Sequence, residues 1–173
     1  MTREIALLIL VAFTAMLLGL GVWSWRRRAR RDAALVAPVG DVPADAEVVL
    51  RFTGFYVATT RHDEPLERLA IDGLAFRSRV DGVVTDHGIA LDLPGRRRLF
   101  IDTASIMTAE RATVTIDRVV EKGGLARIDW RIDADTIVDS YFRPQDTTAR
   151  AIVDAVSSTL SAQTSTTPTG TDA

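Results

Sequence analysis

An uninterrupted apolar stretch, Ile5–Trp25, limits this chain more than any other feature. It carries no charged residue, and only Thr14 and Ser24 interrupt its apolar or small side chains. A helix of this length is ~32 Å long, which matches the ~30 Å hydrocarbon core of a bilayer, and it satisfies its own backbone hydrogen bonds there. We therefore predict a short N-terminal segment over residues 1–4 and a transmembrane helix over residues 5–25.

Residues that favour a membrane surface follow at the end of this stretch. Tryptophan rings prefer the depth of the lipid headgroups, and a cluster of five arginines within six residues stays on the cytoplasmic side. The side chains predicted to contact the membrane surface are Trp23, Trp25, Arg26, Arg27, Arg28, Arg30 and Arg31. The same asymmetry predicts a single-pass protein of the plasma membrane, with its N-terminus outside and its C-terminal domain in the cytoplasm.

A cleaved signal peptide is the competing interpretation of the apolar stretch. Signal sequences have an apolar core of only ~7–15 residues, followed by a cleavage site between small residues. Here the segment Gly21–Trp25 is bulky, and the arginines after it oppose translocation. The sequence therefore favours an anchor that stays in the protein.

The rest of the chain is acidic and has no cysteine. Without the five clustered arginines, the formal net charge falls from −2 to −7. An acidic domain argues against nucleic acid as a partner and against flat docking on an anionic membrane. The absence of cysteine excludes disulfides, thiolate catalysis and cysteine metal sites.

Proline and glycine separate the anchor from a domain of short strands. Pro38, Gly40 and Pro43 prevent a continued helix, so an arginine-rich juxtamembrane stretch and linker is predicted over residues 26–46 and a folded domain over residues 47–161.

Strand and turn signals follow each other closely within this domain. Val83–Leu93 is typical of a hairpin, and Pro94-Gly95 is typical of a type II turn. Thr103–Ala109 is predicted to be a connector with one helical turn, and residues 113–120 the next strand. Leu125–Asp133 alternates between apolar and charged residues, which predicts a strand with one buried and one solvated face.

The last predicted element has the period of a helix. One apolar stripe recurs at i, i+3, i+4, i+7 and i+11: Ala149, Ile152, Val153, Val156 and Leu160. Asp146 and Thr147 are the two candidate N-caps, and residues 162–173 have too little apolar surface to fold. Because the stripe needs a partner, we predict a mainly-β domain, an antiparallel β-roll or open barrel closed by one C-terminal helix.

The order of these elements carries a resemblance that covers the chain from the anchor to about Val156. The segments that carry it are Tyr56–Thr60, Leu66–Leu69, Gly73–Arg77, Leu99–Ile101, Arg118–Glu121, Gly124-Leu125, Trp130-Arg131 and Phe142-Arg143. They resemble a family of actinobacterial single-pass membrane proteins with a bacterial pleckstrin-homology-like (PH-like) domain, often loosely labelled export or transporter proteins. The chain departs from the family pattern at Asp117-Arg118 and at Ser140-Tyr141. The resemblance implies a PH-like fold and assigns no mechanism.

No residue pattern indicates an enzyme. His62 and His87 both lie in predicted loops, with no third metal ligand in view. The sequence has no glycine-rich phosphate loop, nucleophile elbow or metalloprotease helix motif. We therefore predict no catalytic residue, no cofactor and no metal ligand.

Lipid headgroups are a more specific candidate ligand than a metal ion or an enzyme substrate. In the predicted polar loop Thr59–Glu64, however, Arg61 stands against Asp63 and Glu64, which is the wrong charge balance for a phosphate. The second basic cluster, Arg96-Arg97-Arg98, is explained as the charged edge of a hairpin.

Two functions of different classes remain. The favoured one is a membrane-anchored interaction or scaffolding module, in which a sheet edge or groove binds a protein partner at the cytoplasmic face. The alternative is an accessory subunit of a transport or export complex, although one uncharged span cannot line a polar path by itself. Ala15 and Gly19 form a small-xxx-small pair, which is compatible with a homo-oligomer.

Overall fold

The computed structural model describes residues 3–115, 118–119 and 124–166. The chain divides into two units, residues 1–34 and 35–173. The first unit contains helix α1, Arg3–Asp32, which is long and apolar enough to cross a membrane and whose apolar window is not buried by protein. The helix continues beyond Trp25 because arginine is a good helix former.

The second unit is an antiparallel sheet domain with one C-terminal helix, as predicted. Its described strands are β1 Val48–Arg61, β2 Glu64–Arg68, β3 Ser78–Thr85, β4 Gly88–Asp92, β5 Leu99–Asp102, β6 Ile106–Ala112, β7 Val114–Thr115, β8 Arg118–Val119, β9 Leu125–Arg131 and β10 Ile137–Pro144. Helix α2, Ala149–Thr166, follows β10. The predicted fold class is confirmed.

Strand β1 joins the two halves of the sheet because its ends pair with different strands. Val48–Tyr56 pairs with β3, whereas Gly54–Arg61 pairs with β10, and a register shift between Tyr56 and Ala58 bends the strand. The resulting order is β5-β4-β3-β1-β10-β9-β6, with β2 on the end of β1 and a separate β7-β8 pair.

Helix α2 covers the inner face of this sheet, where it contacts strands from β3 across to β6. The predicted stripe provides the contact: Ala149, Ile152 and Val156 are buried, and Val153 and Leu160 are partly buried against the same core. The helix continues to Thr166, past the predicted end at residue 161, and residues 167–173 of the predicted tail lie outside the described structure.

The N-cap of α2 differs from both predicted candidates. The Thr148 hydroxyl accepts a hydrogen bond from the Ala151 N–H at 3.1 Å, so Thr148 is the cap. Asp146 instead accepts the Thr53 N–H of β1 at 2.9 Å. A long-range contact of this kind leaves no signal in the local sequence.

The folded unit also begins before the predicted boundary at residue 47. Leu35 and Ala37 pack on the core. Residues 38–40 then run along the outer edge of β5: the Phe100 N–H donates to the Pro38 carbonyl at 2.9 Å, and the Gly40 N–H donates to the Arg98 carbonyl at 3.2 Å. This edge of the sheet is therefore covered by a segment whose prolines are typical of a linker.

The opposite edge strand, β6, was missed from the sequence. Only Thr103–Ser105 of the predicted connector forms a helical turn, and Ile106–Ala112 pairs with β9. The segment has little apolar-polar alternation, and its pairing with β9 decides its structure. Of the strand predicted over residues 113–120, the structure shows the β7-β8 pair, and residues 116, 117 and 120 lie outside the described part.

Candidate functional site

The residues predicted to contact the membrane surface all lie on α1. Trp23 and Trp25 are 61% and 62% exposed. The Arg27 guanidinium lies 5.7 Å from the centroid of the Trp23 ring, and Arg31 donates to Asp32 at 3.0 Å. Arg26, Arg28 and Arg30 share the helix, and the side chain of Arg28 lies outside the described structure. Their contact with a membrane stays a prediction.

The turn between β1 and β2 is tighter than the predicted loop Thr59–Glu64. Because β1 continues to Arg61 and β2 begins at Glu64, only His62 and Asp63 form the turn, and Asp63 adopts a left-handed φ of 59°. Aspartate tolerates this conformation better than most residues.

The side chain of Asp139, on β10, holds this turn in place through two contacts. Its carboxylate is fully buried and contacts His62 Nδ1 at 2.7 Å. Its other oxygen accepts the Asp63 N–H at 3.1 Å. The Asp139 contact raises the pKa of His62 above its ordinary value. The sequence carries no sign of this contact, because Asp139 lies on a distant strand.

A second buried carboxylate lies directly opposite the first. Asp129 of β9 is paired in register with Asp139 and is 1% exposed. Arg127 neutralises it with two hydrogen bonds, of 2.7 and 2.6 Å. Burial, together with the neighbouring Asp139, nevertheless raises the pKa of Asp129. The charged face of β9 that was predicted to be solvated is thus partly buried.

The cluster of His62, Asp63 and Asp139 is better explained as a structural contact that holds the turn in place than as a metal site. Potential ligand atoms of His62, Asp63 and Asp139 lie within 4.8 Å of one another. Both Asp139 oxygens, however, already accept hydrogen bonds. A cation would have to displace the proton between Asp139 and His62, so the geometry favours a structural role.

The His62–Asp139 contact predicts a pH dependence of stability. Because the folded-state pKa of His62 is raised, its contribution is complete below the unfolded pKa of ~6.5 and is lost as pH rises through the folded pKa. We expect the melting temperature of the full chain in detergent micelles, followed by circular dichroism, to fall more steeply above that pH in the parent than in a His62→Gln variant.

The matched control is His87→Gln, which removes the other histidine from an exposed turn where it lies 3.7 Å from Asp86. This variant should keep the pH dependence of the parent. Equal slopes for the parent and His62→Gln would contradict the stabilising role of the contact.

A hydrogen-bonded chain on the inner face ties three strands together. The Tyr56 hydroxyl donates to the Leu74 carbonyl at 2.6 Å and lies 2.9 Å from Thr59 Oγ1. Thr59 Oγ1 contacts Ser140 Oγ at 2.8 Å, and the Trp130 indole N–H donates to that oxygen at 2.9 Å. Burial raises the pKa of Tyr56, so the chain stays neutral and acts as a structural link between β1, β10 and β9.

An exposed group of arginines surrounds an aromatic ring on the outer face of the sheet. Phe55 of β1 pairs in register with Arg79 of β3 on one side and with Arg143 of β10 on the other. The Arg77 guanidinium lies 4.7 Å from the centroid of the Phe55 ring. Phe76, beside Arg77 in the chain, is 72% exposed. We call these five residues the arginine–aromatic face.

Some arginines of the domain pair with a carboxylate, whereas others do not; in the described part of the chain Arg51 and Arg97, outside this face, make no ion pair. Those elsewhere that pair with a carboxylate include Arg61, Arg96, Arg98, Arg127 and Arg150. Within the described part of the chain, Arg77, Arg79 and Arg143 make no ion pair. In the second basic cluster, Arg96 pairs with Asp72 and Arg98 pairs with Asp92.

A cleft of about 310 Å³ adjoins the face at Arg79. Its walls include Val80, Leu93 and Pro94, with Asp81 and Gln145 as polar neighbours. Leu93 and Pro94 also line a smaller cleft of about 150 Å³, whose other wall contains Phe76. Because Arg79 lines the first cleft, Phe76 lines the second, and both clefts share Leu93 and Pro94, the charged row and the clefts form one continuous surface. Sequence reasoning missed it because its residues come from β1, β3, β10 and the segments before β3 and after β4.

The two outer strands of the sheet are less suited to binding than this face. Residues 38–40 cover β5. In the described residues no strand pairs with the outer side of β6, but its exposed Glu110 and Arg111 are the kind of charged side chains that protect an edge from pairing.

Comparison with known proteins agrees with this architecture. No curated protein sequence matches the chain. Residues 36–157 match the family model described as bacterial PH domain-like. The match begins beside the observed start of the folded unit at Leu35 and ends within α2, so it covers the whole sheet and the first half of the closing helix. PH-like domains are generally non-catalytic binding modules, and this chain belongs to the bacterial PH domain-like family.

Proposed function

We propose that this protein is a single-pass, membrane-anchored interaction module that performs no catalysis. In this proposal α1 crosses the plasma membrane, the seven tryptophan and arginine side chains from Trp23 to Arg31 meet its cytoplasmic surface, and the PH-like domain binds a protein partner in the cytoplasm. The supporting observation is that the chain combines an apolar helix, not buried by protein, with a domain whose family generally consists of binding modules. The arginines after Trp25 give the orientation.

The transport or export alternative has less support. The stretch Ile5–Trp25 contains no ionisable residue of the kind that marks a pathway through the membrane. A role in transport would therefore depend on a larger partner.

Reporter fusions after Ala173 test the orientation. A green fluorescent protein fusion should be fluorescent and an alkaline phosphatase fusion inactive, because five arginines hold the C-terminal side in the cytoplasm. Replacing the five arginines by asparagine provides the control and should weaken this preference. An active phosphatase fusion to the parent chain would overturn the cytoplasmic assignment.

A span exchange tests which unit binds the partner. We expect proteins that co-purify with the full chain in mild detergent to remain bound after residues 5–25 are replaced by an unrelated apolar span. Loss of those proteins would place the interaction in the membrane and contradict a binding function of the domain.

A further inference from the structure

We propose that the arginine–aromatic face is the partner-binding surface and that it takes a protein segment carrying carboxylates next to an apolar side chain. This inference rests on the proposed interaction function and adds the place of binding and the chemistry of the partner. It starts from the three arginines that cross-strand pairing and a ring contact gather around Phe55.

Charge defines the first part of the ligand. In a domain that is acidic overall, Arg77, Arg79 and Arg143 are exposed and make no ion pair with the residues that the structure describes. Guanidinium groups bind carboxylates through two parallel hydrogen bonds, and a ring beneath restricts their motion, which lowers the entropy lost on binding. The Arg77–Phe55 contact supplies such a restriction.

The clefts define the second part of the ligand. The cleft beside Arg79 has room for a side chain whose apolar part would lie against Val80, Leu93 and Pro94. Its other walls include the polar residues Asp81, Asp92 and Gln145. Phe76, at 72% exposure, lines the neighbouring cleft and offers an aromatic contact that has no apparent role in the core. Protein interfaces are enriched in arginine and aromatic residues, and these residues supply many of the binding hot spots.

The same surface fits a protein segment better than a membrane. Asp81 lies in the cleft wall next to Arg79 and is exposed. A flat anionic bilayer would bring its charge against this carboxylate, whereas a protein segment can place its acidic residues on the arginines and leave Asp81 facing solvent or a donor group. The net negative charge of the domain also disfavours contact with an anionic bilayer.

A random peptide display library, selected against the full chain in neutral detergent micelles, tests the inference. We expect the selected peptides to be enriched in aspartate or glutamate beside an apolar residue. Their affinity, measured by fluorescence anisotropy, should fall at least ~10-fold in an Arg79→Glu/Arg143→Glu variant and ~5-fold in Phe76→Ala, because these residues would form the centre of the interface.

An Arg150→Glu/Arg111→Glu variant is the matched control, since it makes the same change in net charge at exposed arginines of α2 and β6 that line neither cleft. It should bind the selected peptides within ~2-fold of the parent. Circular dichroism of every variant checks that the domain remains folded.

Three results would overturn the inference: no acidic enrichment, equal loss of affinity in the control, or displacement of the peptides by micromolar amounts of the soluble anionic lipid dihexanoyl phosphatidylglycerol. Displacement by the lipid would show that the arginine–aromatic face binds anionic lipid headgroups. These outcomes are independent of the reporter fusions and the span exchange, so a partner that binds the domain elsewhere would refute this surface and leave the proposed function standing.

Discussion

An Ile152→Asp variant of the full chain is expected to lose the folded structure of its domain. Ile152 is fully buried in the contact between α2 and the sheet, with Ala149 and Val156 on the same stripe. An aspartate there would bury a carboxylate without a partner, at a cost of several kcal/mol. A domain of this size has only ~5–15 kcal/mol of stability in total.

Thermal unfolding in detergent micelles measures this effect, because the near-ultraviolet circular dichroism of the buried Trp130 reports on the packed core. Asp154→Ala is the control on the exposed side of α2, where Asp154 pairs with Arg150 at 3.4 Å. It should change the free energy of unfolding by no more than ~0.5 kcal/mol. A folded Ile152→Asp variant with the melting temperature of the parent would show that α2 does not close the sheet.

A Gly54→Ala variant should also be strongly destabilised, for a reason that involves backbone and not charge. A Cβ atom at residue 54 would overlap the Arg143 carbonyl oxygen and would lie 2.8 Å from Pro144 Cα. Since both are backbone atoms of the paired strand β10, no side-chain rotation relieves the overlap, and β1 must separate from β10. We expect a loss of at least ~2 kcal/mol.

Thr53→Ala provides a neighbouring control on the same strand. The Thr53 side chain is exposed, so the substitution removes only a solvent-exposed hydrogen bond with Asp146, and the backbone N–H that donates to the same carboxylate is unchanged. Its free energy of unfolding should stay within ~0.5 kcal/mol of the parent in the same melting experiment. Equal stabilities of Gly54→Ala and the parent would contradict the close approach of the two strands.

Local pattern was sufficient wherever one segment of the chain carries its own signal. The apolar stretch before the arginines predicted α1, the turn residues Pro94-Gly95 predicted the entry to β5, and the stripe from Ala149 to Leu160 predicted the buried face of α2. In each case the length, period or backbone freedom of a single segment determines the result. Together they were enough to predict a span followed by a mainly-β domain with a closing helix.

Local pattern failed where another part of the chain supplies the missing interaction. The proline-containing residues 38–40 join the sheet because β5 offers free backbone groups, and β6 is a strand because it pairs with β9. Gly54 is needed for the close approach of the β10 backbone, which lies far away in the sequence.

The sequence by itself determined an apolar span with a basic end, an acidic cysteine-free domain and the periods of its strands and last helix. Tertiary structure alone decided which charged residues meet. It buried Asp129 beside Asp139, gave His62 a partner 77 positions away, and gathered Arg77, Arg79 and Arg143 around Phe55. The physical reason is that hydropathy and period are properties of a segment, whereas the pairing of charges depends on strand register, which the whole sheet fixes at once.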